Sequence, residues 1–157
     1  MAQNIQLSGP AGPQTNLPEP PVGEGSLVVL VSTSTGGYPL ENATVSVYSE
    51  EGPQKFMRKV MNTDRDGKTP GIKLPAPVLT ESQLYECKIR PYAVYTVEVE
   101  YPRFYTNIHK DTQVFANIES IINSFMMPLP ANIGTGSTTK IYLVPPTRCL
   151  QPSGGGS

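Results

Sequence analysis

Tryptophan is absent from this 157-residue chain, histidine occurs once, cysteine twice, and charged residues make up only 16% of it. Each scarcity excludes something. With a formal net charge of −1 and no cluster of lysine or arginine, the chain lacks the electrostatic footprint that nucleic-acid binding requires. No apolar run approaches the ~20 residues that span a bilayer, and no basic amphipathic face suits a membrane surface, so membrane insertion is not expected. The opening "MAQNIQLSGPAGPQTNLPEPP" has neither a basic n-region nor an apolar h-region, so no secretory signal is read there. Two cysteines, Cys87 and Cys149, fall short of the four ligands of a structural zinc site. They are expected either as free thiols or as a disulfide, within one chain or between chains, in an oxidising compartment.

Proline and glycine, by contrast, are plentiful, at 17 and 14. Pro10, Pro13, Pro18, Pro20 and Pro21 block helix and favour extended geometry, so residues 1–25 read as an extended arm. Ile5 and Leu7 alternate with polar residues there, a pattern that suits a strand offered to an open sheet edge.

From Ser26 the texture changes. "SLVVLVSTS" is a dense β-branched run, the mark of a strand buried on both faces or at a sheet centre. "ATVSVYSE" alternates, with Val45 and Val47 on one face and Thr44, Ser46 and Tyr48 on the other. "QKFMRKVMNT", "GIKLP", "YAVYTVEVEYP", "YTNIHKDTQVFANIES", "IINSFMMPLP" and "KIYLVPP" supply further strands at roughly ten-residue spacing, with turn signals between them. The segment 78–91 has room for one helical turn capped at Thr80, and no helical stripe longer than that is visible. The pattern predicts an all-β sandwich over 26–146, followed by a flexible tail over 147–157.

"NTDRDGKTP" interrupts two of these strands. Asp and Gly tolerate left-handed dihedrals and cap turns, so a hairpin corner is expected. A calcium loop would need a glutamate at its twelfth position, and counting from Asp64 that position is Pro75.

Three stretches carry a family resemblance: "GSLVVLVSTSTGGYPLENATVSVYSEEG", "NTDRDGKTPGIKLP" and "PYAVYTVEVEYPRFY". From Ser26 to Met127 the chain resembles the transthyretin-like (prealbumin-like) sandwich modules grouped as carboxypeptidase regulatory-like domains, of the kind found in spore-forming Firmicutes. The family's usual "PGY" is replaced here within "EYPRFY". The resemblance implies an antiparallel β-sandwich of about seven strands. Some transthyretin-like proteins are purine-pathway hydrolases that use several histidines, an arginine and a C-terminal Tyr-Arg-Gly-Ser. This chain, with His109 alone and the ending "CLQPSGGGS", departs from that pattern.

Other chemistry is equally thin. Cys87, His109 and Asp111 can be drawn as a nucleophile–base–orienter set, but "NIHKDT" reads as polar strand or loop, so a solvated or singly bonded histidine is expected. Glu98 and Glu100 share one strand face, which reads as solvated. The first strand has no lysine to donate an internal isopeptide bond. No catalytic residue, metal or cofactor is therefore expected.

What remains points to association. Besides Ile5 and Leu7, the aromatic group Tyr101, Phe104 and Tyr105 is a candidate interface, with core packing as its plainer role. The expectation is a non-enzymatic structural module that self-associates by strand addition and edge contacts, as a fibre or surface-layer subunit at a cell, spore or extracellular surface. The alternative is an accessory or pro-domain that binds cell-wall glycan or peptidoglycan or restrains a hydrolase. The partner is thus itself in the first reading and cell-wall glycan in the second.

Overall fold

The β-branched run that starts at Leu27 lies at the middle of a sheet, which explains why it shows no alternation. A computed structural model describes residues 21–35, 37–78, 90–132 and 138–146. The expectations placed on Ile5, Leu7, Thr80, Cys87 and Cys149 lie outside the described residues.

Eight strands run through the described residues: β1 (Val22–Thr33), β2 (Thr44–Glu51), β3 (Gln54–Asn62), β4 (Ile72–Pro77), β5 (Ala93–Glu100), β6 (Thr106–Val114), β7 (Glu119–Met126) and β8 (Thr139–Leu143). They form two sheets, one in the order β4-β1-β7 and the other in the order β3-β2-β5-β6-β8. The all-β sandwich expected from the sequence is what the chain adopts. Two features correct the finer expectation of about seven antiparallel strands. The described residues hold eight, and β1 pairs with β7, and β6 with β8, in parallel.

The core lies between the sheets. Leu27, Val29 and Val31 of β1, Val45 and Val47 of β2, Ile72 and Leu74 of β4, Val97 and Val99 of β5, and Met126 of β7 are almost fully enclosed. Along β1, β2, β4 and β5 every second residue points this way, as the two-residue period of a pleated strand requires. The central position of β1 comes with hydrogen-bonded neighbours on both sides.

The "NTDRDGKTP" corner is a closed turn but not the hairpin expected, because the strands on either side of it, β3 and β4, lie in different sheets. Asp64 Oδ1 accepts hydrogen bonds from the amides of Asp66 (2.9 Å) and Lys68 (3.0 Å). Gly67 sits at φ 71°, and a Cβ there would collide with the Val31 carbonyl oxygen, so both the dihedral and the space require glycine. Thr63 and Thr69, at either end of the turn, are buried. Thr69 Oγ1 accepts from the Val29 amide at 3.0 Å, and Thr63 Oγ1 accepts from the Ala43 amide at 2.9 Å while donating to the Leu40 carbonyl. The corner therefore stitches β1 to the approach to β2 through side-chain hydroxyls.

Candidate functional site

The two sheets are offset by strand number, three over five. The site-forming irregularities collect on β6, which lies beneath β7 and beside the edge strand β8. Val97 of β5 pairs with His109 of β6, and Tyr95 pairs with Thr112, so one residue of β5 faces two of β6, Lys110 and Asp111. This is a β-bulge, and Asp111 takes its left-handed position at φ 59°. Glycine is the residue such a position ordinarily favours. The other described non-glycine residues with positive φ, Asn42, Arg103 and Asn117, lie in the connections between strands; Asp111 alone among them lies inside a strand.

The bulge opens onto a cleft of about 190 Å³ lined by Arg90, Tyr92, Val94, Asp111, Gln113 and Pro146. Tyr92 is buried and packs edge-on against Phe115, with ring centroids 5.4 Å apart, so its wall of the cleft is fixed. Gln113 Nε2 donates to the Pro145 carbonyl at 2.7 Å, which ties the segment after β8 to the cleft's rim. Arg90, Asp111 and Gln113 thus share the cleft's lining with aromatic and aliphatic residues, the composition of a small-ligand site.

On the inward face of the same strand is a buried polar cluster. His109 is 6% exposed, and its Nε2 lies 3.0 Å from Ser124 Oγ of β7. Asn107 Nδ2 donates to Ser124 Oγ and to the Phe125 carbonyl, each at 3.0 Å, while its buried Oδ1 has no partner. Tyr142 of β8 stacks on the imidazole, with centroids 5.1 Å apart and planes 17° from parallel. Burial pushes the His109 pKa below that of a free imidazole. The neutral ring fits this arrangement in either tautomer, since the Ser124 hydroxyl, which accepts from Asn107 and lies 3.8 Å from Met126 Sδ, can donate to Nε2 or accept from it.

Of the two expectations for His109, solvated or singly bonded, the structure shows the second: it is an enclosed strand residue whose ring partner is Ser124, a residue the sequence reading passed over. A serine–imidazole distance of 3.0 Å is that of a nucleophile and its base. Yet Ser124 has no exposed surface, and neither residue lines the cleft. Among the described residues no group of three or more His, Cys, Asp or Glu side chains comes together to hold a metal ion.

The aromatic candidates separate. Tyr101 and Phe104 form an edge-on pair, centroids 5.3 Å apart, packed against the core. Tyr105 lies under the Lys140 ammonium, 5.0 Å from its ring centroid. Glu98 is paired with Lys55 at 3.4 Å, on the outer face of the five-stranded sheet.

No family model and no curated protein matches the chain. Among solved structures it is similar to 3-chlorocatechol 1,2-dioxygenase from Rhodococcus opacus 1CP, with a TM-score of 0.44 and 10% identity over 74% of this chain and 63% of that one. It is similar also to catechol 1,2-dioxygenase from Acinetobacter radioresistens, with a TM-score of 0.42 and 12% identity over 74% of this chain and 58% of that one. A third is an intradiol ring-cleavage dioxygenase from Tetranychus urticae, with a TM-score of 0.40 and 9% identity over 74% of this chain and 85% of that one. The chain spans less than two thirds of the first two proteins. The expectation of a non-enzymatic module, whether self-associating or accessory, is corrected to this extent: the solved structures that resemble the chain are named as dioxygenases, and the likeness is one of fold alone. The family resemblance read from the sequence is carried as far as an all-β sandwich.

Proposed function

We propose that the cleft beside the β6 bulge recognises a small hydroxyl-rich ligand about the size of one sugar ring. The observation that carries this reading is Asp111, a non-glycine residue held at φ 59° inside a strand. A conformation that costs free energy persists where the surrounding structure enforces it, and such residues gather at binding sites. Here the bulge turns a carboxylate toward the cleft, where it joins the Arg90 guanidinium and the Gln113 amide. Paired donors and acceptors of this kind suit hydroxyl groups, and Tyr92, Val94 and Pro146 supply apolar surface for a ring face. The cleft's 190 Å³ corresponds to roughly six water volumes, enough for one sugar ring but not for a long oligomer.

Heteronuclear NMR titration with a panel of mono- and disaccharides tests the reading. Shifts concentrated at the amides of Tyr92, Asp111 and Gln113 are the expected result, and an unchanged spectrum with every sugar at millimolar concentration overturns it. Mass spectra of the same disaccharides, before and after incubation, report whether a bound sugar is also cut.

A further inference from the structure

We propose that β8 is an acid-released strap, held shut by the neutral His109 ring between Ser124 and Tyr142. The strap is a short strand of five residues, Thr139–Leu143, at the edge of the sheet, with one hydrogen-bonded neighbour strand, β6, among the described residues. Ile141 and Leu143 are exposed on its outer side, so they contribute little to holding it. On its inner side the contacts are Tyr142 stacked on His109, and Lys140, whose Nζ reaches Met127 Sδ at 3.1 Å and lies above the Tyr105 ring.

Protonation changes what this interface holds. The imidazolium would be a buried cation whose hydrogen-bonding partner is a neutral hydroxyl. Among the described residues, the carboxylates of the elements packed against it stand away from it: Glu98 and Glu100 of β5 alternate onto the face opposite Val97, Glu24 of β1 onto the face opposite Leu27 and Val29, and Glu119 begins β7 five residues before Ser124. Residues Val97 of β5, Ser124 and Met126 of β7, and Leu27, Val29 and Val31 of β1 are all uncharged, and the charged residue on the same face of β8 is Lys140, also a cation. On β6 itself Asn107 is neutral, Lys110 is a further cation, and Asp111 lines the cleft on the far side of the bulge. Attraction of the imidazolium to the Tyr142 ring offsets part of the desolvation cost. Hydration of the ring relieves the rest, and peeling β8 away is the shortest route to it, since that removes Tyr142 without disturbing the enclosed valines of β1, β2 and β5. Burial already lowers the ring's proton affinity, which is the same cost seen from the closed state. The strap also bears on the cleft, because Pro146, one of its walls, follows directly from β8. The latch itself does not depend on the ligand reading.

Native-state hydrogen exchange of the full chain between pH 7.5 and 5, corrected for intrinsic rates, tests it. The β8 amides, Thr139–Leu143, are expected to open more readily as pH falls below about 6.5, by at most about tenfold per pH unit, the limit for one linked proton. Amides of Val29 and Val97 stay protected over the same range. In His109→Gln, which keeps a hydrogen-bonding side chain without the titration, β8 exchange becomes independent of pH; His109→Phe serves the same purpose should the glutamine variant fail to fold. Wild-type β8 exchange that is flat with pH, or that rises only together with the Val29 and Val97 amides, overturns the proposal. So does a pH response that survives in the variant.

Discussion

Thr63 and Thr69 flank the Asp64–Gly67 turn, and their hydroxyls complete hydrogen bonds that the turn's own backbone leaves open. Both are almost fully enclosed. Thr69→Val removes the hydroxyl acceptor of the Val29 amide while keeping the side-chain shape, so a loss of about 1–3 kcal/mol in denaturant unfolding is expected, the cost of an unsatisfied buried group. A loss below a few tenths would show that the Thr69 hydroxyl is idle. Gly67→Ala is expected to be worse than a propensity change alone, because the added Cβ meets the Val31 carbonyl at a positive φ. Much at this scale was legible beforehand. The turn chemistry of "DRDG" is local, and local chemistry is what a sequence states directly. The burial of the two threonines was not legible, since a polar residue beside a turn looks solvated until its partners in distant strands are known. Asp111 was hidden for the same reason: a bulge exists only in the register of two strands, and neither strand shows it alone.

Strand existence was readable from alternation and β-branched runs, and all eight strands overlap stretches that the sequence marks as extended. Pairing direction was not. The parallel pairs β1/β7 and β6/β8 carry the same two-residue period as antiparallel ones, and the choice is made by how the connections cross over. Strand β3 shows how far pattern alone can mislead. Phe56, Met57 and Val60 look like core residues, yet all three are exposed, because β3 is the edge of the larger sheet and extends past its cover. Met57→Ser is therefore expected to change stability by no more than about 0.5 kcal/mol. Leu27→Ala, in the middle of β1 with no exposed surface, is expected to cost about 2–5 kcal/mol. Chemical denaturation of the pair distinguishes edge from core; equal losses would contradict the sheet order.

Across the whole molecule, the inward face of β6 places polar residues where its neighbours place valine. Asn107, His109 and Ser124 satisfy one another except at Asn107 Oδ1, which is why a segment that reads as polar loop can run through the interior. The His109 pKa is lowered by burial, so the unfolded chain binds its proton more readily than the folded one. Stability from this group is complete above the unfolded imidazole's pKa of about 6.5 and is lost as pH falls through the lower folded value, with a slope of at most about 1.4 kcal/mol per pH unit. Urea unfolding at pH 7.5, 6.5 and 5.5 is expected to show that decline, and His109→Gln is expected to remove it. A decline that persists in the variant would assign it to other groups.

The cleft reading turns on Asp111, and Asp111→Gly separates its two possible roles. Glycine adopts φ 59° without strain, so this variant is expected to be as stable as the wild type or more so, by up to about 1 kcal/mol. Parallel NMR titration of both proteins with the same panel of mono- and disaccharides is the decisive measurement. The account predicts localised shifts in the wild type and their loss in the more stable variant; identical shifts in both, or none in either, would contradict it.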